Sequence, residues 1–170
     1  MINQSTSISV IIPTFNRENE LKNLIHSLKE SFQYLPNENE PEIIVSDDST
    51  NDQPKQLMRN NFPELIWIKG LKKGPGANRN NGARLAKGDW LIFIDDDCLP
   101  ENDFIAKHVN FLKSCKIKSI VGGLVLYPEI SLFLSKSYIC YKKTRHHLSN
   151  QLCGSSYTNP NKIVAMNLCV

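Results

Sequence analysis

The sequence predicts an α/β fold in which helices cover both faces of a mostly parallel sheet, giving three layers. Two observations predict this class. Short apolar segments rich in β-branched residues alternate along the chain with segments whose apolar residues recur at helical spacing. The apolar segments also show no polar face, as expected of strands that are buried on both sides.

The individual elements follow from changes in the apolar period. Residues 8–13 read Ile-Ser-Val-Ile-Ile-Pro, which predicts a buried strand, and from Glu18 the apolar residues follow helical spacing as far as Phe32. The polar, proline-bounded residues 36–41 predict a loop. The further predictions are strands at 42–46, 65–68, 90–94, 119–126 and 163–170, and helices at 53–60, 77–87 (ended by Gly88), 103–113 and 132–142.

Length and charge limit the function classes. The chain of 170 residues fits a single domain over residues 1–170 with a core of its own. The net charge is +3, and the lysines and arginines are scattered, so we expect no nucleic-acid partner. This mild charge still allows peripheral contact with an anionic membrane surface or with a phosphorylated ligand.

The cysteines and the N-terminus indicate the compartment. The five cysteines are irregularly spaced and form no Cys-x-x-Cys pair, so neither a disulfide framework nor a zinc site is predicted. The first residues lack the basic and apolar regions of a signal peptide, and no stretch is apolar enough to span a bilayer. We therefore expect a cytoplasmic protein, with any membrane association limited to the surface.

Polar residues follow three of the predicted strands. The first strand ends at Pro13–Arg17, the second at Asp47 and Asp48, and the fourth at Asp95–Asp97. In an open parallel sheet, ligands bind beyond the carboxyl ends of the strands. Because these ends share one edge, residues far apart in sequence are expected to meet there, and this convergence is the main functional signal.

The aspartate triplet is the most specific feature of that edge. Adjacent carboxylates repel one another unless a cation lies near. Mg²⁺ and Mn²⁺ prefer oxygen ligands and often bind one or two carboxylates together with substrate phosphates. At the end of an extended strand, Asp95 and Asp97 point the same way and Asp96 the opposite way. The triplet predicts a metal site at Asp95 and Asp97, with a solvated acidic turn or helix cap as the alternative.

The second strand ends in a less specific acidic pair. Asp47 comes first after the strand, where a carboxylate could accept a hydrogen bond from the N–H of a base. Asp48, Ser49 and Asp52 fit turn and helix-cap roles as well as they fit ligand binding.

A glycine-rich segment, Gly74–Gly82, begins the third helix. It is neither a phosphate-binding P-loop nor a dinucleotide-binding turn. Arg79 falls near the start of this helix, where the helix dipole disfavours a cation. That position indicates an anionic or polar partner for Arg79, and an ordinary surface arginine is the alternative.

Four segments in order resemble family 2 glycosyltransferases of the GT-A fold. They read Ile-Ile-Pro-Thr-Phe-Asn-Arg, Val-Ser-Asp-Asp-Ser, Gly-Pro-Gly-Ala-Asn-Arg-Asn-Asn-Gly-Ala-Arg and Gly-Asp-Trp-Leu-Ile-Phe-Ile-Asp-Asp-Asp. The resemblance implies a Rossmann-like three-layer sandwich, with a nucleotide-sugar-binding part at 8–125 and an incomplete acceptor part at 126–170. It implies transfer of a sugar from a nucleoside diphosphate sugar, typically a UDP-sugar, to a hydroxyl of a glycan or lipid-linked acceptor in polysaccharide biosynthesis, with inversion.

The same resemblance implies the roles of individual residues. Asp47, with the Pro-Thr segment, is expected to hold the base, Arg79 to contact the nucleotide, and the D-x-D element to hold the ribose and a Mn²⁺ or Mg²⁺ ion on the diphosphate. The expected nucleotide-sugar site comprises Pro13, Thr14, Asn16, Asp47, Arg79, Asp95 and Asp96, and the expected metal ligands are Asp95 and Asp97.

The catalytic base of the family has no counterpart in the sequence. In the family it is an acidic residue that follows a strand similar to residues 165–170, so we expect it beyond Val170 and expect the chain to be a fragment or a truncated product. A non-catalytic nucleotide-sugar-binding remnant is the alternative. Leu99 disfavours a D-x-D-x-T/V phosphatase, and the long glycine-rich loop of sugar nucleotidyltransferases is absent from the sequence.

Overall fold

The computed structural model describes residues 7–35, 40–114, 121–122 and 168–169. The strands are β1 (Ile8–Thr14), β2 (Glu42–Asp47), β3 (Ile66–Lys69), β4 (Trp90–Phe93), β5 (Val121–Gly122) and β6 (Leu168–Cys169), and the helices are α1 (Glu18–Phe32), α2 (Gln53–Asn61), α3 (Pro75–Ala83) and α4 (Phe104–Ser114). The predicted alternation of strands and helices is confirmed from β1 to α4. The helix predicted at 132–142 lies outside the described residues.

The strands form a single sheet in the order β3-β2-β1-β4-β6-β5. β1 pairs in parallel with β2 on one side and with β4 on the other, and β2 pairs in parallel with β3. β6 runs antiparallel to both β4 and β5. The mostly parallel sheet is therefore confirmed, and the carboxyl ends of β1, β2 and β4 lie at one edge.

Alternate residues of β1 face the two helical layers. Val10 and Ile12 belong to one buried cluster with Leu24 and Leu28 of α1 and with apolar residues of α2 and α4. Ile11 lies on the opposite face, next to α3. Burying each large aliphatic side chain contributes about 1.5–3 kcal/mol to folding. The core thus forms on both sides of the sheet, and among the described residues no helix is long and apolar enough to cross a bilayer.

Helix α3 differs from its predicted bounds. It begins at Pro75, after Gly74 with a φ of 85°, and it ends at Ala83, so the predicted helix at 77–87 was wrong at both ends. Past the helix, the backbone N–H of Lys87 donates to the Glu42 carboxylate and that of Gly88 to Ser9 Oγ. These donors bind strand side chains and cannot continue the helix.

Gly88 also does not terminate α3. A Cβ at this position would lie 2.5 Å from the backbone nitrogen of Ser9. The glycine therefore lets the chain pass directly against the start of β1 before β4 begins. The prediction that Gly88 ends the helix was wrong, because its role depends on β1, about eighty residues earlier in the chain.

The close approach of α3 to the sheet gives a testable stability difference. We expect Gly82→Ala to lower the free energy of unfolding by about 1–3 kcal/mol, the usual range for overpacking a core, because the new Cβ would lie 2.6 Å from Ile11 Cγ2. Gly76→Ala on the same helix meets nothing within 4 Å and is expected to leave stability unchanged or to raise it by up to about 1 kcal/mol. Urea denaturation of both variants measures the difference, and equal midpoints would contradict the packing assignment.

Candidate functional site

An open cavity of about 560 Å³ lies at the carboxyl edge of the sheet. This volume falls within the usual range for ligand sites, about 300–1,000 Å³. Its walls come from the end of β1, from the segments that follow β1, β2, β3 and β4, and from the beginning of α3. The predicted residues that line it are Pro13, Thr14, Arg79, Asp95, Asp96 and Asp97. Residues from three separate strands therefore meet at this edge.

Asp96 points into the protein. The residue is 5% exposed, and its carboxylate accepts hydrogen bonds from Thr14 Oγ1 at 2.8 Å and from Arg17 Nη1 at 3.2 Å. Burial raises the pKa of this carboxyl, because desolvation of the charged form outweighs the stabilisation by Thr14 and Arg17. Asp96 therefore links Thr14, at the end of β1, to Arg17, in the loop that follows this strand.

Asp95 and Asp97 remain partly exposed and each pairs with an arginine. Asp95 Oδ1 accepts a hydrogen bond from Arg79 Nη2, and Asp97 Oδ2 accepts one from Arg17 Nη1 at 2.7 Å. The exposed fractions of the two aspartate side chains are 22% and 53%. Arg79 thus has the anionic partner that its position on the helix indicated. The two guanidinium groups offset part of the triplet's negative charge.

The donor atoms at this edge fit a hard divalent cation. Within the described ranges, no group of three or more His, Cys, Asp or Glu side chains is arranged to hold a metal by itself. Asp95 and Asp97 offer two carboxylates, which matches the usual mode for Mg²⁺, in which phosphates and waters complete the coordination. The neighbouring Cys98 is a poor ligand, since burial and the aspartate charges raise its pKa to about 11 and keep it protonated.

The acidic pair at the end of β2, Asp47 and Asp48, is arranged differently from the prediction. Asp47 is 4% exposed, and its two carboxylate oxygens accept hydrogen bonds from the backbone N–H of Ser49 at 2.8 Å and from Trp67 Nε1 at 3.1 Å. Asp48 instead lines the cavity, where its Oδ1 accepts a hydrogen bond from the backbone N–H of Lys72 at 2.6 Å. The structure therefore brings Asp48, and not the predicted Asp47, to the cavity.

Asn16 is also not among the residues that line the cavity. It adopts a left-handed backbone conformation with a φ of 52°, which asparagine tolerates better than most residues. Its Oδ1 accepts hydrogen bonds from the backbone N–H of Thr50 at 3.0 Å and from Thr50 Oγ1 at 3.2 Å, while its own N–H donates to Ser49 Oγ. Asn16 thus fastens the loop after β1 to the loop after β2.

The cavity also contains residues that the sequence analysis did not assign to a site: Phe15, Arg17, Asp48, Lys72 and Asn78. Phe15 is 55% exposed although it is a large aromatic residue. A signal for Phe15 and Arg17 was present, since both belong to the strand-end segment that contains Pro13 and Thr14. Lys72 had no signal, because it reaches the cavity through the irregular segment after β3.

Comparison with known proteins identifies related sequences. The chain matches the model of glycosyl transferase family 2 over residues 9–159. It is 40% identical over 96 residues to a GalNAc(5)-diNAcBac-PP-undecaprenol beta-1,3-glucosyltransferase of Campylobacter jejuni, covering 53% of this chain and 29% of that one. It is 30% identical over 146 residues to the poly(ribitol-phosphate) beta-N-acetylglucosaminyltransferase TarS of Staphylococcus aureus, covering 75% and 25%. The chain thus spans less than a third of the length of these two relatives.

Solved structures of glycosyltransferases resemble this chain in fold. A crystal structure of S. aureus TarS in complex with UDP superposes with a TM-score of 0.53 at 30% identity, covering 63% of this chain and 32% of that one. A mannosyltransferase from Pyrobaculum calidifontis in complex with GDP-Man and Mn²⁺ has a TM-score of 0.60 at 22% identity, covering 72% and 36%. These likenesses confirm the predicted three-layer fold of the GT-A type.

Proposed function

The chain belongs to glycosyl transferase family 2, and on that basis we propose that the cavity binds a nucleoside diphosphate sugar whose sugar passes to an acceptor hydroxyl. The observation that carries the proposal is the meeting of two partly exposed carboxylates and two guanidinium groups at the carboxyl edge of the sheet. A UDP-sugar is the proposed donor, since the relative TarS has been solved with UDP. A glycan or lipid-linked acceptor is proposed, since one relative's name contains a polyprenyl diphosphate.

The base of the nucleotide is proposed to lie between Phe15 and Asp48. The exposed ring of Phe15 offers a face on which a planar base can stack. The Asp48 carboxylate can accept a hydrogen bond from a ring N–H, such as N3–H of uracil. Pro13 and Thr14 line the same cavity and complete this subsite. Asp47, whose two oxygens already have donors, supports the loop instead of touching the base.

The diphosphate is proposed to lie over the aspartate triplet. Asp95 and Asp97 would hold Mn²⁺ or Mg²⁺, and Asp95 is also proposed to contact the ribose. Such an ion, when bound, neutralises negative charge on the departing diphosphate. Arg17 and Arg79 can donate charge-assisted hydrogen bonds to phosphate oxygens. Asp96 holds Thr14 and Arg17 in place and, being buried, supports the donor site from behind.

We further propose that the transfer inverts the configuration at the anomeric carbon and serves polysaccharide biosynthesis. The protein is proposed to act in the cytoplasm or at a membrane surface. None of the side chains that the structure describes is assigned as the general base. A chain that binds the donor but does not turn it over would match the alternative, a nucleotide-sugar-binding remnant. Calorimetry of UDP with Mn²⁺ tests donor binding, and release of UDP from a UDP-sugar with an acceptor tests transfer.

Base recognition by Asp48 predicts a specific loss. We expect Asp48→Asn to weaken UDP binding by about 10-fold or more, since a hydrogen bond to a charged group contributes about 1.5–3 kcal/mol. The loss should appear with and without Mn²⁺, because the base lies away from the metal. Calorimetry measures the loss, and Asp52→Asn is the control, since it removes a carboxylate charge by the same substitution at an exposed position outside the cavity lining. Equal UDP affinity of Asp48→Asn and the unaltered chain would refute the assignment.

A further inference from the structure

Asn78 is buried in the cavity wall with an unsatisfied oxygen. It belongs to α3, lines the cavity and is only 2% exposed. Its Oδ1 is buried and has no hydrogen-bond partner in the described part of the chain. Buried polar groups are nearly always paired, and one that is not calls for a physical explanation.

The nearest feature that explains this oxygen is Asp48. A Cβ built on Gly70 would lie 2.5 Å from Asn78 Oδ1 and closer still to Asp48 Oδ1. The two side-chain oxygens therefore converge on the same small space, which is open because residue 70 has no side chain. Two acceptors that face each other repel. Rotating the Asn78 amide by 180° exchanges its oxygen and its NH₂ group, so that a donor then faces the carboxylate.

We infer that Asn78 is a positioning residue for Asp48. In the rotated form, Asn78 Nδ2 donates a hydrogen bond to Asp48 Oδ1, which already accepts one from the backbone N–H of Lys72 at 2.6 Å. Two donors fix this oxygen, and the other carboxylate oxygen is left to face the cavity. The side chain of Asn78 thereby sets the direction from which Asp48 accepts a ligand hydrogen bond.

This arrangement bears on which bases the cavity accepts, and that part of the inference rests on the proposed function. A fixed carboxylate favours a base with a ring N–H donor, as in uracil, over cytosine, whose N3 is an acceptor and would face the carboxylate's negative charge. Gly70 is needed for the same contact between Asn78 and Asp48. A side chain there would occupy the space in which the amide and the carboxylate meet.

A ligand-free experiment tests the contact itself. In ¹⁵N-edited NMR spectra, the assigned NH₂ pair of Asn78 should shift clearly when Asp48 is replaced in Asp48→Asn, because the charged acceptor of its hydrogen bond is lost. The Asn78 hydrogens should also exchange with solvent more slowly than those of the exposed Asn80. An Asn78 pair that is unaffected by Asp48→Asn would overturn the inference.

A binding experiment tests its consequence. Asn78→Ala is expected to weaken UDP binding about 10-fold and to reduce the preference for UDP over CDP by a similar factor, while adding no further loss to Asp48→Asn. Asn80→Ala, on the same helix but outside the cavity lining, should keep both the affinity and the preference. Circular dichroism verifies that the variants are folded, and Asn78→Ser replaces Asn78→Ala if the latter unfolds.

The outcomes separate this inference from the proposed function. If the unaltered chain binds no UDP, the proposed function fails, and the NMR experiment still decides the contact between Asn78 and Asp48. If the unaltered chain binds UDP and Asn78→Ala binds it with the same affinity and the same preference over CDP, only the positioning role of Asn78 is overturned.

Discussion

Asp97→Ala is expected to abolish the Mn²⁺-dependent part of UDP binding while leaving the fold intact. The side chain of Asp97 is 53% exposed, and within the described part of the chain its carboxylate pairs with Arg17 alone. Replacing a group that only orients a metal ligand lowers metal affinity about 10–100-fold. Replacing a proposed ligand itself is therefore expected to lower the affinity for UDP in the presence of Mn²⁺ by at least about 100-fold. Titration calorimetry of UDP with and without Mn²⁺ measures the effect.

A matched control lies at the other end of the same strand. Asp89→Ala removes the same charge, but Asp89 precedes β4 and its carboxylate accepts a hydrogen bond from Ser7 at the opposite edge of the sheet. It should therefore bind UDP with Mn²⁺ as the unaltered chain does. If Asp97→Ala also retains the Mn²⁺-dependent affinity, the metal assignment to Asp97 is wrong.

Much of this fold could be predicted because its signals are local. The buried strand β1 follows from a run of β-branched residues, and α1 from apolar residues at helical spacing. The placement of the site followed from topology, since parallel strands bring their carboxyl ends to one edge. Strand alternation does not explain the different partners of Asp95 and Asp96, because β4 ends at Phe93 and residues 95–98 form a turn in which the backbone N–H of Cys98 donates to the carbonyl of Asp95 at 3.1 Å.

The features that could not be predicted depend on contacts distant in sequence. Which of two adjacent aspartates reaches the cavity is decided by Trp67 on β3, which donates to Asp47, and by the backbone of Lys72, which donates to Asp48. The end of α3 depends in the same way on Glu42 and Ser9, which accept hydrogen bonds from the segment after the helix. No local pattern in residues 47–48 or 83–88 contains this information.

Arg17 lies in a motif that the sequence analysis noted, but the sequence assigned it no role. The structure indicates that its loss has opposite effects on Mn²⁺ binding and on UDP binding. In the structure its guanidinium pairs with Asp96 and Asp97, and the hydrogen bond to Asp97 raises its pKa further. A metal that binds Asp97 must compete with this pair. Once the metal has displaced Arg17 from Asp97, the guanidinium would be available to donate hydrogen bonds to the diphosphate.

Arg17→Ala is therefore expected to bind Mn²⁺ alone more tightly, by up to about 5-fold, because a partly exposed ion pair is worth about 0.2–1 kcal/mol. The same variant should bind UDP in the presence of Mn²⁺ about 10-fold more weakly, because a charge-assisted hydrogen bond to phosphate is lost. Electron paramagnetic resonance of free Mn²⁺ measures the first effect, and calorimetry the second. Arg84→Ala, an exposed arginine outside the cavity lining, should change neither affinity. If Arg17→Ala weakens both affinities, Arg17 does not compete with the metal for Asp97 and instead supports the metal site.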